Sequence, residues 1–206
     1  MFRTNDLEQL MQKVDEAGFG TISLSPEVCL SLLARLKDLE QQGLLKSATI
    51  TESNARTTTK GTDAQNNDQA KTIRNDFTYW LEKDHHPTEK NLLEGLDQLL
   101  LALKNYFRIS LSHLECHFAL YPKGHFYKKH IDQTAENNKR FFSFVIYLNQ
   151  NWNESLGGKL VGFDGEQKIF EVLPHFGQMI VFRSDIPHEV EPSLSERRSI
   201  AGWFRV

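Results

Sequence analysis

Near residue 110 the hydrophobic pattern of this chain changes period, and that change limits the folds open to it. Before that point apolar residues recur every three or four positions; after it they alternate in short runs separated by turn residues. Six runs fit strands: 117–121, 140–148, 159–163, 168–172, 178–182 and 199–206. Tyr121-Pro122-Lys123-Gly124, Gly157-Gly158 and Asp164-Gly165 punctuate them. Short strands at such spacing predict an antiparallel sandwich or jelly-roll. The first half predicts helices over 5–17, 26–42 and 89–107, with a short strand at 20–24 between the first two. Ser25-Pro26-Glu27 supplies a cap, a first-turn proline and a first-turn acid for the second helix. The leucine faces of these helices need a partner, so they are expected to cover one side of a sheet.

The 206 residues are enough for one sizeable core, so a single domain is expected, with 1–110 as mainly helical support and 111–206 as the β core. Residues 51–70 contain only three apolar side chains, all alanine, too few to offset their ordering entropy. A mobile loop is expected there, either a passive insertion or a lid. Residues 73–81 regain aromatic, strand-like character. A net charge of -3 favours neither nucleic acid nor an anionic membrane as partner, and no apolar stretch is long enough to span a bilayer. The N-terminus lacks an apolar signal segment. Cys29 and Cys116 make no disulfide framework and read as free structural thiols, so a cytoplasmic setting is expected.

His130-Ile131-Asp132 places an imidazole and a carboxylate two residues apart, on one side of an extended segment. His188 follows a proline at a strand start, from which it can approach across a barrel. Two imidazoles and one carboxylate on one face leave three octahedral positions open, the arrangement of a non-haem Fe(II) oxygenase. A zinc hydrolase can use the same three ligands, and an isolated His-x-Asp carries little weight among eight histidines. His85, His86 and His175 sit in turns and read as solvated, and histidines 113, 117 and 125 lack a spaced carboxylate.

The last strand separates the readings. Arg197, Ser199, Ala201 and Trp203 share one face; Arg198, Ile200, Gly202 and Phe204 share the other. The first face combines a cation, small residues and an aromatic wall, which suits a narrow site for a small dicarboxylate. Arg197 is therefore the expected anion anchor, with Arg198 the rival, because a guanidinium matches a carboxylate through two parallel hydrogen bonds. Phe141, Ser143, Val145 and Tyr147 share a face of their own strand, and Tyr147 could donate its hydroxyl to the same anion or serve only as a core aromatic.

These residues fall into a longer ordered pattern: Tyr121-Pro122, then Tyr127-Lys128-Lys129-His130-Ile131-Asp132, Arg140, Tyr147-Leu148-Asn149 and Gly157-Gly158-Lys159-Leu160. It ends in Ser184-Asp185, Pro187-His188-Glu189-Val190, Arg197, Ile200 and Trp203, and Ile73-Arg74-Asn75-Asp76 with Trp80-Leu81-Glu82 precedes it. The pattern closely resembles the prolyl hydroxylase domain enzymes, 2-oxoglutarate- and Fe(II)-dependent oxygenases of animals and bacteria. The resemblance implies an α+β fold with a double-stranded β-helix (jelly-roll) core covered on one side by N-terminal helices. It implies iron held by His130, Asp132 and His188, and 2-oxoglutarate held by Arg197 and Tyr147 in a pocket lined by Tyr121, Leu160 and Trp203, with Tyr127 nearby. O2 is the further co-substrate and ascorbate a candidate reductant. The resemblance also implies a pairing of Asp76 with Arg140 between a substrate-covering loop and the barrel, with 51–70 as part of that lid. The implied partner is a protein with an exposed proline loop, a translation elongation GTPase being the candidate from bacterial relatives. The chain ends three residues past Trp203, without the C-terminal helix of larger animal members, and the segment before His188 is two residues shorter. The rival readings are an oxygenase acting on another residue or a small molecule, and a sensor domain that binds metal or 2-oxoglutarate without turnover. A nucleic-acid demethylase is disfavoured by the charge balance.

Overall fold

Local chemistry starts and stops the helices. The computed structural model describes residues 1–48, 73–133 and 138–206. Helix α1 (Thr4–Ala17) buries Leu10, Met11 and Val14 and ends at Gly18, whose φ of 80° is a conformation glycine enters without a Cβ penalty. In α2 (Pro26–Gln41) the Ser25 hydroxyl accepts from the Val28 N–H, as the capping signal predicts. Helix α3 (Pro87–Phe107) is capped by His86, whose Nδ1 accepts from the Thr88 N–H at 3.1 Å. This half-buried cap corrects the expectation of a solvated His86, whereas His85 and His175 are exposed.

The strands form two antiparallel sheets. The larger has the order β1 (Phe19–Ser23), β9 (Gln178–Arg183), β6 (Arg140–Tyr147), β11 (Arg197–Arg205), β4 (His113–Tyr121), β3 (Phe77–Trp80) and β2 (Lys46–Ser47). The smaller has the order β5 (Tyr127–His130), β10 (His188–Val190), β7 (Leu160–Asp164) and β8 (Gln167–Val172). The six predicted runs recur within one to four residues at each end. β10 begins at His188, where the preceding proline marks a strand start. Two strands were not foreseen, and the omission has a cause: β2 is an exposed two-residue edge and β5 carries two lysines among four residues, so neither shows an apolar period.

The two-residue alternation of the large sheet sorts its side chains into two cores. Phe118, Phe144, Ile146, Val181, Ile200 and Phe204 face the leucines of the helices, including Leu32, Leu36, Leu92 and Leu96. Each fully buried leucine stabilises the fold by roughly 1.5–3 kcal/mol. Ala119, Tyr121, Val145, Tyr147, Ile180 and Phe182 face the other way, against Leu160, Phe170, Val172 and Val190 of the small sheet. The result is the jelly-roll, with helices on one side and a cleft between the sheets on the other. The expected loop over 51–70 lies outside the described residues.

Candidate metal centre and anion site

β5 ends at His130 and β10 begins at His188, and the two residues stand directly opposite each other in the antiparallel ladder. A bend after β5 brings Asp132 to the same place. Ligand atoms of the three residues lie within 4.8 Å of one another. His130 Nε2 is 3.8 Å from Asp132 Oδ1, and His188 Nε2 is 3.4 Å from Asp132 Oδ2. Each histidine points its Nδ1 at a backbone carbonyl, His130 at Lys128 (2.7 Å) and His188 at Ile186 (2.9 Å). A carbonyl can only accept, so both protons sit on Nδ1 and both Nε2 lone pairs face the shared space. Ser143 Oγ donates to Asp132 Oδ2 at 2.7 Å and lies 2.8 Å from the buried Ser184 hydroxyl, which fixes the carboxylate from behind.

Electrostatics keep these groups in the form a metal requires. Burial, helped by His188, pushes His130 down to about 3. Burial alone would raise the Asp132 carboxyl, but His188, His130 and Ser143 hold it down to about 2. A neutral imidazole and an ionised carboxylate are the ligating forms. Two nitrogen donors and one carboxylate on one side, with the remaining positions open to a cavity, suit a ferrous ion.

The anion site is built from β11 and β6. Arg197 is 1% exposed; its Nε donates to Gly158 O and its Nη1 to Ser199 Oγ, both at 3.1 Å. Nη2 has no partner, and among the described residues no carboxylate pairs with this guanidinium. Tyr147 is fully buried, with its ring centred 5.1 Å from the guanidinium carbon, and its hydroxyl also lacks a partner. Burial pushes the Tyr147 phenol up to about 12, so it remains a donor at neutral pH. A buried unpaired cation beside a free hydroxyl donor matches a carboxylate acceptor, which would remove the cost of burying both. Arg198 faces the opposite side and pairs with Glu40 at 3.1 Å and with Glu196.

The His130–Asp132–His188 cluster opens on a cavity of about 220 Å³. Tyr121, Tyr127, Leu160 and Trp203 line it together with the three metal-site residues. Arg197 and Tyr147 are not part of that lining; Tyr121 joins the two sites, its ring centre 5.3 Å from the Arg197 guanidinium. Seven of the nine site residues expected from the sequence therefore line one cavity, and Arg197, with Tyr147 beside it, sits against its Tyr121 wall. The expected Asp76–Arg140 pair is absent. Asp76 instead accepts two hydrogen bonds from Arg74, at 2.6 and 2.9 Å. Arg140 pairs with Glu115 at 3.0 Å and lies 3.5 Å over the Trp203 ring. Arg74 takes the carboxylate two residues along its own segment, and Arg140 on β6 reaches Glu115 on β4, so the two expected partners do not pair.

Sequence reasoning missed Arg74 and His117, both of which line the cavity. The signal for His117 was present: it is two and four residues before Ala119 and Tyr121 on β4, hence on their face. Arg74 arrives through an isolated bridge to Tyr127, a tertiary pairing with no local signature.

A profile of the 2OG-Fe(II) oxygenase superfamily matches residues 116–205. Mouse prolyl hydroxylase EGLN3 is 28% identical, covering 96% of this chain and 82% of its own length, and the human protein matches to the same extent. The crystal structure of a Pseudomonas putida prolyl-4-hydroxylase is 30% identical, with a TM-score of 0.82 over 97% of this chain and 99% of that one. A Trichoplax adhaerens prolyl hydroxylase, solved with a hypoxia inducible factor oxygen degradation domain peptide, is 25% identical. Its TM-score is 0.80, over 100% of this chain and 94% of that one.

Proposed function

We propose that this chain, which belongs to the 2OG-Fe(II) oxygenase superfamily, hydroxylates a prolyl residue in a protein substrate. Fe(II), 2-oxoglutarate and O2 are the cofactor and co-substrates of the family. When bound, they supply an oxidative decarboxylation that releases succinate and CO2 and adds one oxygen atom to a C–H bond. In this reading His130, Asp132 and His188 hold the iron. Arg197 and Tyr147 hold the far carboxylate of 2-oxoglutarate, and Tyr121, Leu160, Trp203 and Tyr127 shape the space around both. The chain's own contribution is to keep the ligands in their binding forms, orient the oxo-acid and exclude bulk water from the cleft.

The observation that carries the reading is the buried, unpaired Arg197 packed against Tyr121, which lines the same cavity as the His130–Asp132–His188 cluster. Hydrolysis by a metal-bound water does not itself require that guanidinium, whereas a chelating oxo-diacid needs a partner for its far carboxylate. Support for proline as the target comes from the prolyl hydroxylases at 25–30% identity that this chain resembles along nearly its whole length. A translation elongation GTPase is the first protein to try, on the strength of the resemblance alone.

The test has two stages. Purified protein given Fe(II), 2-oxoglutarate and O2 should form succinate, and absence of succinate rejects the oxygenase in favour of a sensor. Mass spectrometry of cell proteins with and without the enzyme should then find a proline that gains one oxygen atom. Oxygen gained only on another residue type or on a small molecule rejects the prolyl reading and leaves the oxygenase standing.

A further inference from the structure

From the geometry around His117 we infer that this residue is a substrate-specificity group, donating a hydrogen bond from Nδ1 to a backbone carbonyl of the bound peptide. The inference rests on the reading of a peptidyl substrate given above and adds a recognition element to it. His117 is 2% exposed, stands opposite Ala201 on β11 and Trp80 on β3, and lines the same cavity as the metal cluster. The indoles of Trp80 and Trp203 flank it, with ring centres 4.9 and 5.6 Å away.

Its tautomer follows from its neighbour. Arg74 Nη2 lies 3.4 Å from His117 Nε2. A guanidinium can only donate, so Nε2 must accept and the ring proton must sit on Nδ1. Burial, reinforced by the charges of Arg74 and Arg140, pushes the ring down to about 3, which keeps it neutral. Nδ1 is thus an N–H donor, and among the described residues it has no acceptor. A buried donor without a partner is costly, and an occupant of the cavity that offers an acceptor would remove that cost.

Charge selects the class of acceptor. Both guanidinium groups near His117 already have a carboxylate partner, Arg74 in Asp76 and Arg140 in Glu115, which it shares with Arg205. The cation without a carboxylate partner is Arg197, outside this lining and facing Tyr147 and Tyr121. What remains at His117 is a neutral donor between two indoles, one of them 49% exposed at the mouth. That setting fits the amide carbonyl of a peptide, with apolar side chains against the rings.

The experiment uses the iron-loaded enzyme with capped decapeptides carrying a central proline. His117→Asn places an amide nitrogen where Nδ1 was, whereas His117→Gln places its amide one bond further out and His117→Leu removes the donor. Peptide KM should rise about tenfold in the Leu and Gln variants and fall back toward wild type in the Asn variant, with kcat moving little. Nitrogen-15 NMR of the wild type should show the proton on Nδ1 of His117. A proton on Nε2, an unchanged peptide KM in His117→Leu, an Asn variant no better than the Leu variant, or a rise in 2-oxoglutarate KM instead of peptide KM would each overturn the inference. If wild type oxidises 2-oxoglutarate but hydroxylates no decapeptide, the peptidyl reading fails and takes the carbonyl acceptor with it. That failure is recognisable because it precedes any substitution and leaves the tautomer result intact.

Discussion

Tyr127 lies flat on His130, with ring centroids 3.5 Å apart and planes 14° from parallel. The Arg74 guanidinium lies 4.8 Å from the centre of the same tyrosine ring. A stack of this kind holds the imidazole plane that a metal ligand must keep, and so belongs to the outer layer that tunes metal affinity. Tyr127→Ala should weaken binding of Fe(II), or of Co(II) as a spectroscopic substitute, by about tenfold. Tyr127→Phe keeps the ring and should retain wild-type affinity. An Ala variant that binds metal as tightly as wild type would show the stack to be passive.

Arg197 and Arg198 are neighbours with opposite surroundings. Arg197→Ala should cost about 2–5 kcal/mol of 2-oxoglutarate binding, because it strips the anion of its buried partner. Arg198→Ala loses partly exposed ion pairs with Glu40 and Glu196 and should change that affinity little. Titration calorimetry with 2-oxoglutarate separates the two. Without 2-oxoglutarate, Arg197→Met should unfold at a higher temperature than wild type, since an uncompensated buried charge is gone.

Gly162 sits opposite His188 in the β7–β10 pairing. A Cβ there would come within 2.2 Å of the Phe170 ring, which is itself wedged against Phe19 and Phe182. Phe182 in turn meets the His188 ring edge-on at 4.8 Å. Gly162→Ala should therefore destabilise the fold by about 1–3 kcal/mol and also weaken metal binding. Urea denaturation and metal titration of the same preparation measure both effects, and loss of stability with full metal affinity would break the proposed link to His188.

Acid should destabilise the metal-free protein through His117. Its folded pKa is about 3, below the ordinary 6.5, because burial and then Arg74 and Arg140 oppose the charged ring. Between those values the unfolded chain binds more protons, so stability falls as pH falls, by about 1.4 kcal/mol per unit from this residue. Urea midpoints at about pH 7 and about pH 5 should differ more in wild type than in His117→Leu. Equal shifts in both would show that other groups set the acid limit.

Much of this molecule was legible without coordinates. The alternation Arg197, Ser199, Ala201, Trp203 places Arg197 inward and Arg198 on the other face, because a strand sends successive side chains to opposite faces wherever it pairs. Leucines at helical spacing similarly predict which faces of α2 and α3 are covered. The edges of the site were less legible. Arg74 and Asp76, two residues apart on one segment, bind each other, and Arg140 finds Glu115, although neither choice shows in a local pattern. β5, which carries His130, is too short and too charged to register as a strand, whereas the proline before His188 marks the start of β10.

The division has one physical origin. Periodicity and capping act within a few residues, so the order of amino acids alone determined the helices, the strand faces and the chemical inventory of two imidazoles, a carboxylate and a guanidinium. Which of those groups meet depends on pairing between distant strands. The register that sets His130 against His188, and the packing that leaves Arg197 and His117 with unanswered donors, arose only when the two sheets closed on each other.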